Sequence, residues 1–83
     1  MFTVYVLYAE AYNKIYVGYT SDLQGRLTSH NQLATKGYTV KFRPWKVVHA
    51  EVFGTKQEAI VREKTLKSSR GRAFIRELIG NGP

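Results

Sequence analysis

The chain contains no cysteine. Disulfide staples and thiolate metal centres are therefore excluded, and the composition is compatible with a reducing compartment. Long apolar runs are also missing. In the N-terminal "MFTVYVLYAEAYNK", the apolar stretch from Val4 to Ala9 is too short for a secretory leader, and no basic region precedes it. Nothing approaches the roughly 20 apolar residues of a membrane span. These absences lead us to expect a soluble cytoplasmic protein with no membrane partner.

Acidic residues are scarce: 6 Asp plus Glu stand against 13 Lys plus Arg, for a net charge of +7. A positive field of this size on a small body favours polyanions. Charge also serves solubility, so it assigns no partner by itself. There is no H-E-x-x-H, and the two histidines lie far apart in sequence. "GYTSDLQG" lacks the spacing of a Walker-type phosphate loop, and no spacing supports a Ser-His-Asp triad. At 83 residues, with 43% hydrophobic and 13% aromatic residues, one domain spanning 1–83 is expected. Its core is modest, so any site should be a shallow groove or cleft.

The elements follow from pattern. "FTVYVLY", residues 2–8, is β-branched and aromatic throughout and reads as a strand. "AEAYNK" is a turn in which Asn13 best tolerates a left-handed backbone. "IYVGYT" resumes the strand, so an antiparallel hairpin is expected. Alternation puts Tyr5 with Thr3 and Leu7, and Tyr16 with Gly18 and Thr20. Register decides whether the two tyrosines face the same way, and sequence leaves it open.

"SDLQGRLTSHNQ" reads as a helix capped by Ser21 or Asp22. Leu23 and Leu27 form its apolar stripe, Arg26 and His30 project together beside it, and Gly25 weakens it. Residues 32–44 form a basic, irregular connection. "WKVVHAEVF" is a third strand. "GTKQEAIVREKTLK" is a helix opened by a Thr55–Glu58 capping box, with Ala59, Ile60 and Leu66 on its buried face. "SSRGRAFIRELIGNG" reads as a basic turn followed by a short helix with Phe74, Ile75, Leu78 and Ile79 on its apolar face, ended by Gly80 or Gly82. The order is β-β-α-β-α-α, without repeats.

Taken singly, these polar residues have ordinary explanations. Strand tyrosines usually pack, and a lone helical arginine is usually solvated. His30 could serve a helix dipole, His49 reads as a strand residue without a chemical role, and Glu63 could simply pair with Lys67. Taken together they match the needs of phosphodiester hydrolysis. That reaction requires a cation facing the non-bridging oxygens, a group that accepts a proton from water, and a carboxylate for a hard metal ion.

The same residues carry a resemblance to the GIY-YIG nuclease superfamily, small single-domain members in particular. "TVY" (Thr3 to Tyr5) and "YVG" (Tyr16 to Gly18) look like its two strand motifs, with Thr3 and Val4 in place of Gly-Ile. "DLQGRLTSHN" is similar to its D-L-x-x-R-L-x-x-H-N stretch, and "AIVREKTLK" to its A-x-x-x-E-K-x-L-K helix. The four blocks occur in order, from about Phe2 to Ile79.

The resemblance implies an α+β fold, a three-stranded antiparallel sheet flanked by helices, with one metal-dependent endonuclease site acting on nucleic acid, DNA in the first place. By position, Tyr5 would act as general base or orient the water. Tyr16 would bind the scissile phosphate or its water, Arg26 would stabilise the pentacoordinate phosphate, and His30 would relay a proton or contact the phosphate. Glu63 would be the single protein ligand of Mg²⁺ or Mn²⁺. A tyrosine has a pKa near 10, so a base role needs a nearby positive charge. Lys14 could contribute one. The loop residue that some members carry after the first helix has no clear match here, though Lys36 and Tyr38 lie in that region. Asn81 lies beyond the last helix and inherits no role. Lys36, Lys41, Arg43, Lys46, Lys67, Arg70 and Arg72 are candidate phosphate contacts, which implies weak, salt-sensitive binding of low sequence specificity. The rival expectations are a nucleic-acid-binding module with little or no cleavage and an interaction domain without nucleic acid.

Overall fold

The computed structural model describes residues 1–33 and 38–80. Strand β1 (Phe2–Ala9) continues through a single helical turn at Glu10–Tyr12 into β2 (Lys14–Thr20). Asn13 takes the left-handed conformation there, with φ 54°, as its short polar side chain permits. Helix α1 (Leu23–Thr28) starts where Asp22 Oδ1 accepts from the Gly25 amide at 3.1 Å. It widens to π spacing over Ser29–Leu33, so the regular helix is shorter than the sequence pattern suggests. A 3-10 turn at Tyr38–Phe42 lies within the basic connection. It precedes β3 (Lys46–Phe53), α2 (Lys56–Lys67) and α3 (Ser69–Gly80). The β-β-α-β-α-α order is as expected.

The sheet order is β2-β1-β3 with both pairs antiparallel. β1 is central and covered on both faces, which is why it lacks polar alternation. Val4, Val6 and Val17 join Ala59, Leu66 and Ile75 in one core layer beneath α2 and α3. Tyr5, Leu7, Ala9 and Trp45 form the other, with Tyr16, Leu23, Leu27 and Phe42 packed on them. Against β3 the register shifts between Val6, opposite His49, and Leu7, opposite Val47, so Val48 is an extra residue.

Two details of the helices differ from the sequence pattern. Arg70, Gly71 and Arg72 are helical rather than a turn: the Ser68 hydroxyl accepts from the Gly71 amide, so α3 begins directly after α2. Gly71 is buried, and a Cβ there would collide with the Thr65 and Leu66 backbone, so its missing side chain allows α2 and α3 to touch. Of the four apolar residues on α3, Ile75 is buried and Ile79 packs on the core, but Phe74 and Leu78 stay 38% and 41% exposed. At the start of α2, Thr55 Oγ1 accepts from the Glu58 amide, whereas the Glu58 carboxylate accepts from the Thr55 hydroxyl rather than a backbone N–H. His49 is also more than a packing residue. Its Nε2 lies 2.6 Å from Glu51 Oε2, and Glu51 is gripped by Arg62 Nε and Nη2 at 3.0–3.1 Å. Among the described residues, no helix is long and apolar enough to cross a membrane.

Candidate active site

Hairpin register settles which way the tyrosines face. Tyr5 lies opposite Gly18 and Leu7 opposite Tyr16. Directly opposed residues share a sheet face, so Tyr5 and Tyr16 are diagonal neighbours on one surface. Their ring centroids are 6.3 Å apart. Gly18 makes this possible: a Cβ there would stand 2.7 Å from Tyr5 Oη, 2.9 Å from its Cζ and 3.1 Å from Tyr16 Cε1. The Tyr5 phenol occupies the space a side chain would need.

His30 arrives from the widened end of α1. Its Nε2 lies 3.1 Å from Tyr5 Oη, and its ring centroid is 4.8 Å from that of Tyr16. On the far side, Nδ1 lies 3.0 Å from Thr39 Oγ1. Thr39 is buried, and its carbonyl accepts from Trp45 Nε1 at 2.7 Å. Asn31 ties Trp45 in place through two hydrogen bonds: its Nδ2 donates to the Trp45 carbonyl at 2.9 Å, and its Oδ1 accepts from the Trp45 amide at 2.6 Å. Arg43 Nε donates to the His30 carbonyl at 2.6 Å. This supporting ring of Thr39, Asn31 and Trp45 is absent from the sequence expectations. Asn31 stood inside the quoted H-N pair, and Trp45 is the sole tryptophan; Thr39 carries no local signal.

The electrostatics are set by burial and two opposite charges. Burial pushes the Tyr5 phenol up, helped by the Tyr16 hydroxyl and the Glu63 carboxylate. The Arg26 guanidinium opposes this through its positive charge, and the balance stands at about 12. Burial lowers the His30 pKa from 6.5, and the charges of Arg26 and Arg43 lower it further. Tyr5 is therefore a neutral phenol and His30 a neutral imidazole at pH 7. A neutral imidazole has one donor and one acceptor nitrogen, so Nε2 and Nδ1 play opposite roles toward Tyr5 Oη and Thr39 Oγ1. Tyr5, Tyr16 and His30 are in mutual contact, and the charges of Arg26 and Glu63 both bear on the Tyr5 phenol.

Glu63 sits on α2 with its side chain only 17% exposed, and Oε1 accepts from Lys67 Nζ at 3.2 Å. Among the described residues, no group of three or more His, Cys, Asp or Glu side chains could enclose a metal. A lone carboxylate suits a hard divalent cation that takes one protein oxygen and keeps several waters.

The basic candidates lie on several elements. Lys14 is exposed at the start of β2, with Nζ 5.4 Å from the Phe42 ring centroid. Lys41 is exposed in the 3-10 turn, and Arg43 reaches the Ser29 and His30 carbonyls. Lys46 pairs with Glu10 at 3.2 Å. Arg70 and Arg72 are exposed on α3. Lys36 and Asn81 lie outside the described residues.

A family model described as the GIY-YIG catalytic domain matches residues 1–75. The chain belongs to the GIY-YIG family. Membership sets it in a nuclease superfamily and implies nucleic-acid binding. This GIY-YIG chain is 43% identical over 68 residues to a UPF0213 protein of Bacillus velezensis, a match covering 78% of the chain and 69% of that relative. It is 42% identical over 67 residues to a UPF0213 protein of Bacillus pumilus, covering 77% and 68%. The UPF0213 protein YazA of Bacillus subtilis is 38% identical over 68 residues, covering 78% and 69%. The solution NMR structure of a UPF0213 protein from Bacillus halodurans superposes with a TM-score of 0.56 at 28% identity, covering 99% of this chain and 89% of that one. The α+β architecture is thus that of a solved GIY-YIG relative.

Proposed function

We propose that this GIY-YIG domain hydrolyses phosphodiester bonds of nucleic acid, with DNA as the substrate, through in-line attack by water. The observation that carries the proposal is the Tyr5–His30 hydrogen bond, 3.1 Å long, with Tyr16 beside it and the charges of Arg26 and Glu63 both bearing on the Tyr5 phenol. Glu63 would hold Mg²⁺ or Mn²⁺. When bound, the ion supplies positive charge against the phosphate oxygens and acidifies water.

The chain's own residues divide the remaining work. A phenol with a pKa of about 12 is a poor base alone. It becomes an effective one when it can pass its proton on. In the tautomer with the ring hydrogen on Nδ1, His30 Nε2 accepts from Tyr5 Oη, so a proton taken from the attacking water by Tyr5 leaves for His30 in the same movement. Thr39 keeps the imidazole in the tautomer that can accept it. Arg26 faces the charge that builds on the non-bridging oxygens. Tyr16 hydrogen-bonds the phosphate or the water.

The test is incubation of the purified protein with supercoiled plasmid and Mg²⁺ or Mn²⁺, beside Glu63→Ala. Nicking by the native protein alone is expected. Equal nicking by both would trace to a contaminant, and tight DNA binding without cleavage under any divalent metal would replace the enzyme with a binding module.

A further inference from the structure

Two neighbouring clefts lie between β2 and the helices α2 and α3. The first, about 290 Å³, is lined by Ile15, Tyr16, Val17, Lys67 and Arg72. The second, about 310 Å³, is lined by Lys14, Ile15, Arg72 and Arg76. Sharing Ile15 and Arg72 makes them one groove. One end opens at Tyr16, inside the candidate active site. The other ends at the hairpin turn, where Arg76 Nη1 and Nη2 donate to Asn13 Oδ1 and to the Asn13 carbonyl at 2.6 and 3.2 Å.

Every charged residue lining this groove is a cation, of which Lys67 is paired with Glu63. Two larger clefts elsewhere on the molecule each include a carboxylate, Glu10 in one and Glu58 in the other. The spacing along the walls is regular. Lys14 and Tyr16 are two residues apart on one strand, about 7 Å. Arg72 and Arg76 are one helical turn apart, about 6 Å. Both intervals are close to the step between successive phosphates of one nucleic-acid strand. Arg76 is pre-oriented: Asn13 is neutral, so it fixes the guanidinium without cancelling its charge, and it uses two of five N–H donors. The floor of Ile15 and Val17 is apolar and suits sugar edges between the phosphates.

We propose that this groove binds the phosphodiester backbone flanking the scissile bond, with Arg72 and Arg76 each contacting one phosphate. The placement of the scissile bond at its Tyr16 end rests on the hydrolytic function proposed above; the anion groove itself does not. The strand leaves the active site along β2 toward the hairpin turn, so contacts on that side of the cut extend at least two phosphates. Arg76 joins the candidate contacts as a residue that sequence reasoning passed over.

The experiment measures fluorescence anisotropy of a fluorescein-labelled single-stranded DNA oligonucleotide across a salt series, with chelator present. Each phosphate contact contributes about 0.7 to the slope of log affinity against log salt on single strands. Arg72→Ala and Arg76→Ala should each weaken binding several-fold at low salt and flatten the slope by about that amount. Lys56→Ala, outside both clefts, should leave the slope unchanged. Arg76→Lys keeps the charge but gives up the fork on Asn13, so it should retain the slope; thermal unfolding of each variant checks the fold. An unchanged slope in both alanine variants, an equal loss in Lys56→Ala, or no binding at low salt overturns the groove. Plasmid nicking is scored separately. Slope changes without cleavage would sink the hydrolytic function and leave the groove, and cleavage indifferent to Arg72 and Arg76 would do the reverse.

Discussion

Tyr5 Oη and His30 Nε2 stand 3.1 Å apart in the protein interior, joining the central strand to the end of the first helix. The pair holds one mobile hydrogen, and both partners are tuned to keep it on the phenol: burial first raises Tyr5 to about 12, and burial first lowers His30 below 6.5. The lowered His30 pKa has a consequence for stability. The unfolded chain binds a proton at 6.5 that the folded site resists. Stability is therefore intact above pH 6.5 and falls as pH drops through 6.5 toward the folded-state value. Urea unfolding over that range should show the decline, and His30→Gln should flatten it. A decline of equal size in His30→Gln would show that another group is responsible.

Replacing Tyr5 by Phe removes the hydroxyl and keeps the ring. The buried Nε2 of His30 then loses its hydrogen-bond partner, which costs about 1–3 kcal/mol of stability. Cleavage should fall by at least about 100-fold, the scale of a lost proton-transfer group. Alkaline difference spectra should lose the component that titrates near 12. Full nicking activity in Tyr5→Phe would remove the phenol from the mechanism.

A different pH window belongs to Glu51. Its carboxyl lies below the ordinary 4.5, first because Arg62 hydrogen-bonds it and with further help from His49. Its contribution is present above pH 4.5 and is lost as pH falls through the folded-state value. The Glu51→Gln substitution should lower stability at neutral pH by roughly 1 kcal/mol, as for a partly exposed ion pair with good geometry. It should also remove the acid limb below pH 4.5 while leaving nicking intact, since the network lies at the β3 edge. An unchanged acid limb, or nicking lost without a loss of fold, would contradict this separation.

Local pattern carried much of the architecture. The β-branched run of β1, the turn at Asn13 and the Thr55 cap each act over a few residues, so their physics is legible in a short window. Tyr5 and Tyr16 were visible as chemistry, but their shared face depended on Tyr5 standing opposite Gly18, and register is a long-range property. Phe74 and Leu78 looked like core because helical spacing places them near Ile75; packing against α2 selected Ile75 and Ile79 instead. Thr39 became legible only when the connection before β3 folded back over His30, a contact spanning nine residues with no periodic pattern behind it.

Gly18 offers a test of the site's steric basis. A Cβ there would press on Tyr5 Oη at 2.7 Å and Cζ at 2.9 Å, and Tyr5 is a buried ring wedged between Tyr16 and His30. Gly18→Ala should therefore cost about 1–3 kcal/mol, as overpacking does. It should reduce cleavage far more than that loss of fold explains, because the phenol must move off Nε2. The check is denaturant unfolding together with the His30 ring chemical shifts. Native shifts and native activity in Gly18→Ala would show that the ring has slack.

Thr39 separates positioning from packing. Its hydroxyl lies 3.0 Å from His30 Nδ1, and in the tautomer that the proposed mechanism uses it accepts from Nδ1 and reserves Nε2 for Tyr5. Valine matches threonine in shape but cannot accept, so Thr39→Val leaves a buried N–H unsatisfied at about 1–3 kcal/mol. The imidazole is then free to populate the other tautomer, whose Nε2–H opposes the Tyr5 hydroxyl. Cleavage should fall by about 10-fold or more, largely in kcat, since proton transfer and not DNA binding is affected. Thr39→Ser restores the acceptor and should recover most of the activity, although it loses a buried methyl. Nitrogen chemical shifts of His30 should report Nδ1–H in the native protein and Thr39→Ser, and a tautomer mixture in Thr39→Val. If Thr39→Val and Thr39→Ser lose activity equally, packing rather than tautomer control is the role of this residue.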